Sequence, residues 1–141
     1  MLKFIEELKA LNLPAGQYAI FGSGPLAIRN LRDAGDIDLV VTQELWDKLA
    51  QKYPLTKKET IKGPVTSINI GHLEIYRDWL NLTPKVKEMI DTADIINDLP
   101  FVKLEYVIEW KTFMGRDKDK NDLKLIEEYL KNKEDADGQN N

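Results

Sequence analysis

The sequence predicts an α/β (α+β) fold, a mixed β-sheet flanked by helices with further helices at its C-terminal end. Three observations predict it. Short apolar runs of strand length, "QYAIF" and "DIDLVV", alternate with amphipathic helical patterns up to Ala50. A long β-like stretch, Leu55 to Trp79, is interrupted by turn signals at Lys62-Gly63-Pro64 and Gly71-His72. From Leu99-Pro100 onward the apolar spacing is helical again, with a break at Gly115.

The elements follow in order. In "MLKFIEELKALNLP", charged residues are interleaved with Leu2, Phe4, Ile5, Leu8 and Leu11, which reads as an amphipathic helix and not as a signal peptide. "QYAIF" is a short buried strand. Gly22-Ser23-Gly24 forms a turn, and Pro25 suits the first helical position, where a missing N–H costs nothing. That helix is short and is expected to run to about Arg32. "DIDLVV" is the second strand. Thr42 can cap a third helix that places Leu45, Trp46 and Leu49 on one face. Tyr53-Pro54 ends it.

In "SINIGHLEIY", Ile68 and Ile70, then Leu73 and Ile75, alternate with polar residues. Thr83-Pro84 reads as a helix cap and first residue, with Val86, Ile90 and Ala93 on one side. Residues 1–132 form a single domain, and the polar segment 133–141 is expected to be disordered. There is no internal repeat.

A chain of 141 residues is long enough to bury a core, and its 43% apolar and 31% charged residues are ordinary for a globular protein. The net charge of -4 argues against nucleic-acid binding through bulk charge. With no cysteine, disulfides and thiolate metal sites are excluded. Any Ser/His/Asp triad would depend on the one histidine, His72. No apolar run approaches the ~20 residues of a membrane span, so no membrane partner and a cytoplasmic location are expected.

The stretch "FGSGPLAIRNLRDAGDIDLVV" carries the chemistry. On a strand, side chains at i and i+2 share a face, ~6.6–6.8 Å apart along the chain. Asp36 and Asp38 are such a pair, with Ile37 and Leu39 turned to the core. Two close carboxylates repel, and a divalent cation relieves the repulsion. Magnesium takes oxygen ligands and is commonly shared with substrate phosphates. Backbone N–H groups at a glycine-rich strand-to-helix turn favour anions, and Ser23 adds a hydroxyl. Each feature alone is ordinarily structural, a tight turn or a pair of solvated charges. Their order and spacing make the combination informative.

"GS", twelve residues, then "DID" resembles the signature of the polymerase-β-like nucleotidyltransferase superfamily, Gly-Ser or Gly-Gly followed by Asp-x-Asp on the next strand. The matching residues are Gly22-Ser23 and Asp36-Ile37-Asp38. The family completes its site with a third carboxylate on a later strand, for which "HLEIYRDW" offers Glu74. "EWKTFMGRDKDKNDLKLI" is similar to a C-terminal pattern of small nucleotidyltransferase-like proteins, some of them antibiotic-modifying and some in toxin–antitoxin systems. The resemblance spans roughly Gln17 to Leu130. It implies a nucleotidyltransferase-type fold and transfer of a nucleoside monophosphate from a nucleoside triphosphate (NTP) to an acceptor hydroxyl. Asp36, Asp38 and Glu74 would hold two Mg2+ ions ~3.5–4 Å apart. Gly22 and Ser23 would grip phosphates. Lys111, Arg116 and Lys118 read either as a solvated helix end or as cations that neutralise the leaving group.

The acceptor stays open between small molecule, protein and RNA. So small a domain is expected to work as a homodimer or with a partner protein. The alternative reading is a noncatalytic nucleotide-fold binding module, such as the antitoxin partner of a toxin.

Competing motifs fit less well. "GSGPLA" matches a dinucleotide fingerprint, but its helix is short and the acids sit at the start of their strand. A P-loop is excluded because no Gly-Lys-Ser/Thr follows the turn. "DKDKNDLKLIEE" approaches a calcium loop but has Asp122 where glycine is required. Asp119 and Asp122 are expected to pair with nearby lysines and arginines. His72 reads as a surface turn residue, and Trp46, Trp79 and Trp110 as core or interface residues.

Overall fold

The computed structural model describes the backbone of residues 2–139 and the side chains of residues 2–136. These residues build one seven-stranded mixed sheet and six α-helices. The strands are β1 (Tyr18–Phe21), β2 (Ile37–Val41), β3 (Leu55–Thr60), β4 (Gly63–Ile70), β5 (Leu73–Tyr76), β6 (Asp94–Ile96) and β7 (Leu99–Phe101). Their spatial order is β3-β4-β5-β2-β1-β7-β6. The helices are α1 (Ile5–Leu11), α2 (Gly24–Ala27), α3 (Gln43–Ala50), α4 (Val86–Asp91), α5 (Leu104–Met114) and α6 (Asp117–Gln139). No helix among the described residues is long and apolar enough to cross a membrane.

The sheet has two buried faces, and strand alternation sorts residues between them. Ile37, Leu39 and Val41 join Leu8, Leu45 and Leu49 on the face covered by α1 and α3. Val40, Phe21 and Tyr76 join Val86, Val107, Trp110 and Ile126 on the face covered by α4, α5 and α6. Asp38 alternates with Ile37 and Leu39, so it shares the second face with Val40. That placement turns it to a cavity that residues of α5 and α6 also line.

Several local expectations are revised. The second helix is a single turn, Gly24–Ala27, and not a helix to Arg32. Asn30 adopts a left-handed φ of 60°, which a helix cannot continue through. Strand β2 begins at Ile37, one residue after Asp36. Thr83 accepts a hydrogen bond from the Trp79 N–H at 2.9 Å within a 3-10 turn, Leu80–Lys85, and so does not cap α4.

Residues 94–101 form a hairpin that the sequence pattern did not suggest. Asn97 and Asp98 turn it with φ of 52° and 65°, values these two residue types tolerate. Helix α6 continues to Gln139, through most of the segment expected to be disordered. Residues 131–136 are all exposed, and Glu127 stands four residues before Lys131, a favourable helical pair. Asn140 and Asn141 lie outside the described residues.

Candidate active site

Three adjacent strands position the acidic end of the site. Strand β1 runs antiparallel to β2 with Phe21 opposite Asp38. The turn that follows Phe21 therefore leaves the sheet beside the start of β2. Gly22 has a left-handed φ of 61°, and a Cβ there would overlap Asp38 Oδ2. On the other side of β2, β5 runs parallel with Glu74 in register with Asp38. Tyr76, two residues on, donates its hydroxyl to Glu74 Oε2 at 3.4 Å.

Asp38 Oδ1 is buried and has no hydrogen-bond partner among the described residues. Burial pushes the Asp38 carboxyl well above the usual aspartate range, and hydrogen bonding with Glu74 and its charge push the same way. Lys58 offsets part of this and the charge of Asp36 adds to it.

These residues line a cavity of about 580 Å³. Gly22, Ser23, Asp38 and Glu74 form one end. Arg32, Lys58, Lys111, Arg116 and Lys118 put cations around it. Tyr76, Trp79, Trp110 and Met114 supply an apolar wall. Trp79 packs against Phe21 with ring centroids 4.7 Å apart and against Trp110 at 5.0 Å. Trp79 and Trp110 are thus core residues, as expected, that also face the cavity.

Two buried aspartates hold the cations in place. Asp122 accepts from Arg32 Nε at 2.6 Å and lies 2.8 Å from Lys111 Nζ. Asp119 accepts from Arg116 Nε at 2.6 Å and from the Arg116 backbone N–H at 3.0 Å. Lys111 is only 2% exposed and lies over the Trp110 ring at 4.7 Å. The expected pairing of Asp119 and Asp122 with basic neighbours is what the structure has. Burial raises both carboxyls, yet the hydrogen bonds and charges of Arg116, Arg32 and Lys111 carry each below the ordinary value of 3.8.

A depressed carboxyl stabilises the fold above its unfolded-state pKa and loses that contribution as pH falls through the lower folded-state value. Asp119→Asn is therefore expected to cost roughly 3 kcal/mol at neutral pH. The gap to the wild type should close in strong acid. Thermal melts over that pH series check it, and a gap that stays constant would refute the assignment.

Asp36 is exposed and does not line the cavity. Asp36 immediately precedes β2, and its side chain is exposed where Asp38 faces the cavity. Its reach to the site is through charge. Lys111, Arg116 and Lys118 are brought together with Gly22, Ser23, Asp38 and Glu74. His72 sits on the turn between β4 and β5, stacked on Phe4 at 3.7 Å with Nδ1 3.0 Å from Glu7, and is not on the cavity wall. Arg32 and Lys58 were not anticipated as site residues. Arg32 and Arg29 both fall inside the twelve-residue spacing, and nothing in the sequence separates them. Lys58 lies in "LTKKET", which gives no signal.

No group of three or more histidine, aspartate and glutamate side chains among the described residues is gathered as a metal cage. Asp38 and Glu74 provide oxygen donors for a hard cation, and magnesium commonly takes one or two carboxylates with its other ligands from phosphate and water. The unpartnered Asp38 Oδ1 fits that use. Comparison with protein-family models, with curated proteins and with solved structures found no match to this chain.

Proposed function

We propose that the protein is a nucleotidyltransferase of the polymerase-β-like type. It would move a nucleoside monophosphate from an NTP to an acceptor hydroxyl. One observation carries the reading. The glycine turn, the Asp38–Glu74 pair and five cationic side chains face a single cavity.

In this reading the acceptor oxygen attacks the α-phosphorus, the bond to the bridging oxygen breaks, and pyrophosphate leaves. Asp38 and Glu74 would hold magnesium, which supplies charge neutralisation and lowers the pKa of the attacking hydroxyl. Glu74 would receive the hydroxyl proton. The Gly22 and Ser23 amides and the Ser23 hydroxyl orient the phosphates. Lys111, Arg116 and Lys118 take up the negative charge that grows on the leaving pyrophosphate. The aromatic wall of Tyr76, Trp79 and Trp110 keeps water from that side of the reaction.

Calorimetric titration with ATP and GTP, with and without magnesium, tests this. Magnesium-dependent binding is expected in the wild type and is expected to disappear in Asp38→Asn. Asp36→Asn should retain weaker binding, since Asp36 acts only through its charge. Wild-type protein that binds neither nucleotide at millimolar concentration would overturn the reading. The exposed position of Asp36, off the cavity wall, favours a second reading, a noncatalytic nucleotide-fold module that binds a partner protein. Nucleotide binding unaffected by magnesium would move the conclusion there.

A further inference from the structure

We propose that Arg32 is a ligand for the phosphate chain in this cavity, held ready on the Ser23 hydroxyl and the Asp122 carboxylate. The inference rests on the nucleotide reading above and adds a donor to it. Arg32 lies in the connection between α2 and β2. Its Nη2 donates to Ser23 Oγ at 2.5 Å and to Asp122 Oδ2 at 2.9 Å. Its Nε donates to Asp122 Oδ1 at 2.6 Å, and its Nη1 to the Asp33 carbonyl at 2.8 Å. The Arg32 side chain is 33% exposed and lines the cavity, whereas that of Lys111 is only 3% exposed. Of the two, Arg32 is the more open to an entering anion.

Two features point from anchor to ligand. The first is the bond to Ser23. Any phosphate that reaches the Ser23 hydroxyl must meet the guanidinium already bound there. A guanidinium pairs its planar N–H donors with phosphate oxygens as readily as with a carboxylate. The second is charge. Arg32, Lys111 and Arg116 bring three positive charges to the two negative charges of Asp119 and Asp122. Within that network the cations outnumber the carboxylates by one, while Asp38 lies against Gly22 on the other side of the turn. A phosphate oxygen can take the place of Ser23 on Nη2 while Asp122 still holds Nε.

The competing role is structural. Arg32 and Asp122 tie the α2–β2 connection to α6, across 90 positions of sequence. Two substitutions break that same ion pair and separate the roles. Arg32→Gln removes the cation. Asp122→Asn keeps the cation and an amide oxygen that can still accept from its Nε, and relieves its neutralisation.

The probe is inorganic tripolyphosphate without metal, followed by calorimetry, with magnesium–ATP as a second titrant. Arg32→Gln is expected to bind both about ten- to a hundredfold more weakly, the loss of a charge-assisted hydrogen bond to phosphate. Asp122→Asn is expected to bind as tightly as wild type or more tightly. Arg32→Lys keeps the charge but not the planar fork, should fall between, and serves if the glutamine variant does not fold. Equal losses in Arg32→Gln and Asp122→Asn, or unchanged binding in the Arg32 variants, would make Arg32 a loop anchor only. The nucleotide reading would survive that result. A wild type that binds neither titrant overturns both.

Discussion

Asp38→Asn is expected to lower nucleotidyl transfer roughly a thousandfold or more, the scale of losing a central electrostatic group, while melting at the same temperature as the wild type or higher. The expectation follows from where the carboxylate sits. Asp38 is in register with Glu74, and its Oδ1 has no partner among the described residues. Ionising it there costs stability. Burial, then hydrogen bonding with Glu74 and its charge, raises its folded-state pKa well above 3.8. For an acid raised in this way, the native state holds the proton longer than the unfolded chain. Stability is then highest below the unfolded-state pKa and falls as pH climbs towards the folded-state value.

An amide has no such titration. The variant should gain on the wild type as pH rises through that window. Pyrophosphate release and thermal melts across pH check the two halves together. A fall of many degrees in the variant's melting temperature would show that Asp38 anchors the fold, and the functional reading of the pair would lose its main support.

How far this site could be read beforehand depended on how local its parts are. The glycine turn and Asp38 are separated by a short connection, and β1 and β2 pair directly, so spacing in the sequence became proximity in space. Glu74 was legible because Leu73 and Ile75 on either side are buried, which turns Glu74 to the Asp38 face. Asp36 stands one residue before the first paired position of β2, where pattern alone does not say whether its side chain turns to the site or to solvent.

Arg32 and Lys58 were illegible for a different reason. Arg32 finds its carboxylate on α6, and Lys58 reaches the cavity only because β3 pairs with β4 and β4 with β5. Neither partnership leaves a trace in neighbouring residues. The hairpin at 94–101 was missed because Pro100 reads as a prelude to a helix, and its place opposite Ile95 depends on the Asn97-Asp98 turn.

Gly22→Ala tests whether the turn and the acid are one mechanical unit. An L-residue at a φ of 61° costs about 1–2 kcal/mol whatever surrounds it. Here the surroundings add more. The new methyl would overlap Asp38 Oδ2 and come within 3.0 Å of Asp38 Cγ. Asp38 cannot simply swing aside, because Glu74 lies next to it and the chain on either side of it is buried core. The variant is expected to be destabilised by roughly 2–4 kcal/mol in total, and to lose transfer activity as fully as Asp38→Asn.

A double-mutant cycle separates the two costs. In an Asp38→Ala background the overlapping carboxylate is gone and only the residue-38 Cβ, 3.1 Å from the new methyl, remains, so Gly22→Ala should cost little more than the backbone share, about 1–2 kcal/mol. Denaturant melts of the four proteins give the coupling directly. A Gly22→Ala cost that is the same in both backgrounds would mean that the turn does not bear on Asp38. The two would then be neighbours in the sheet without acting as one site, and the resemblance in sequence spacing would carry no mechanical meaning in this protein.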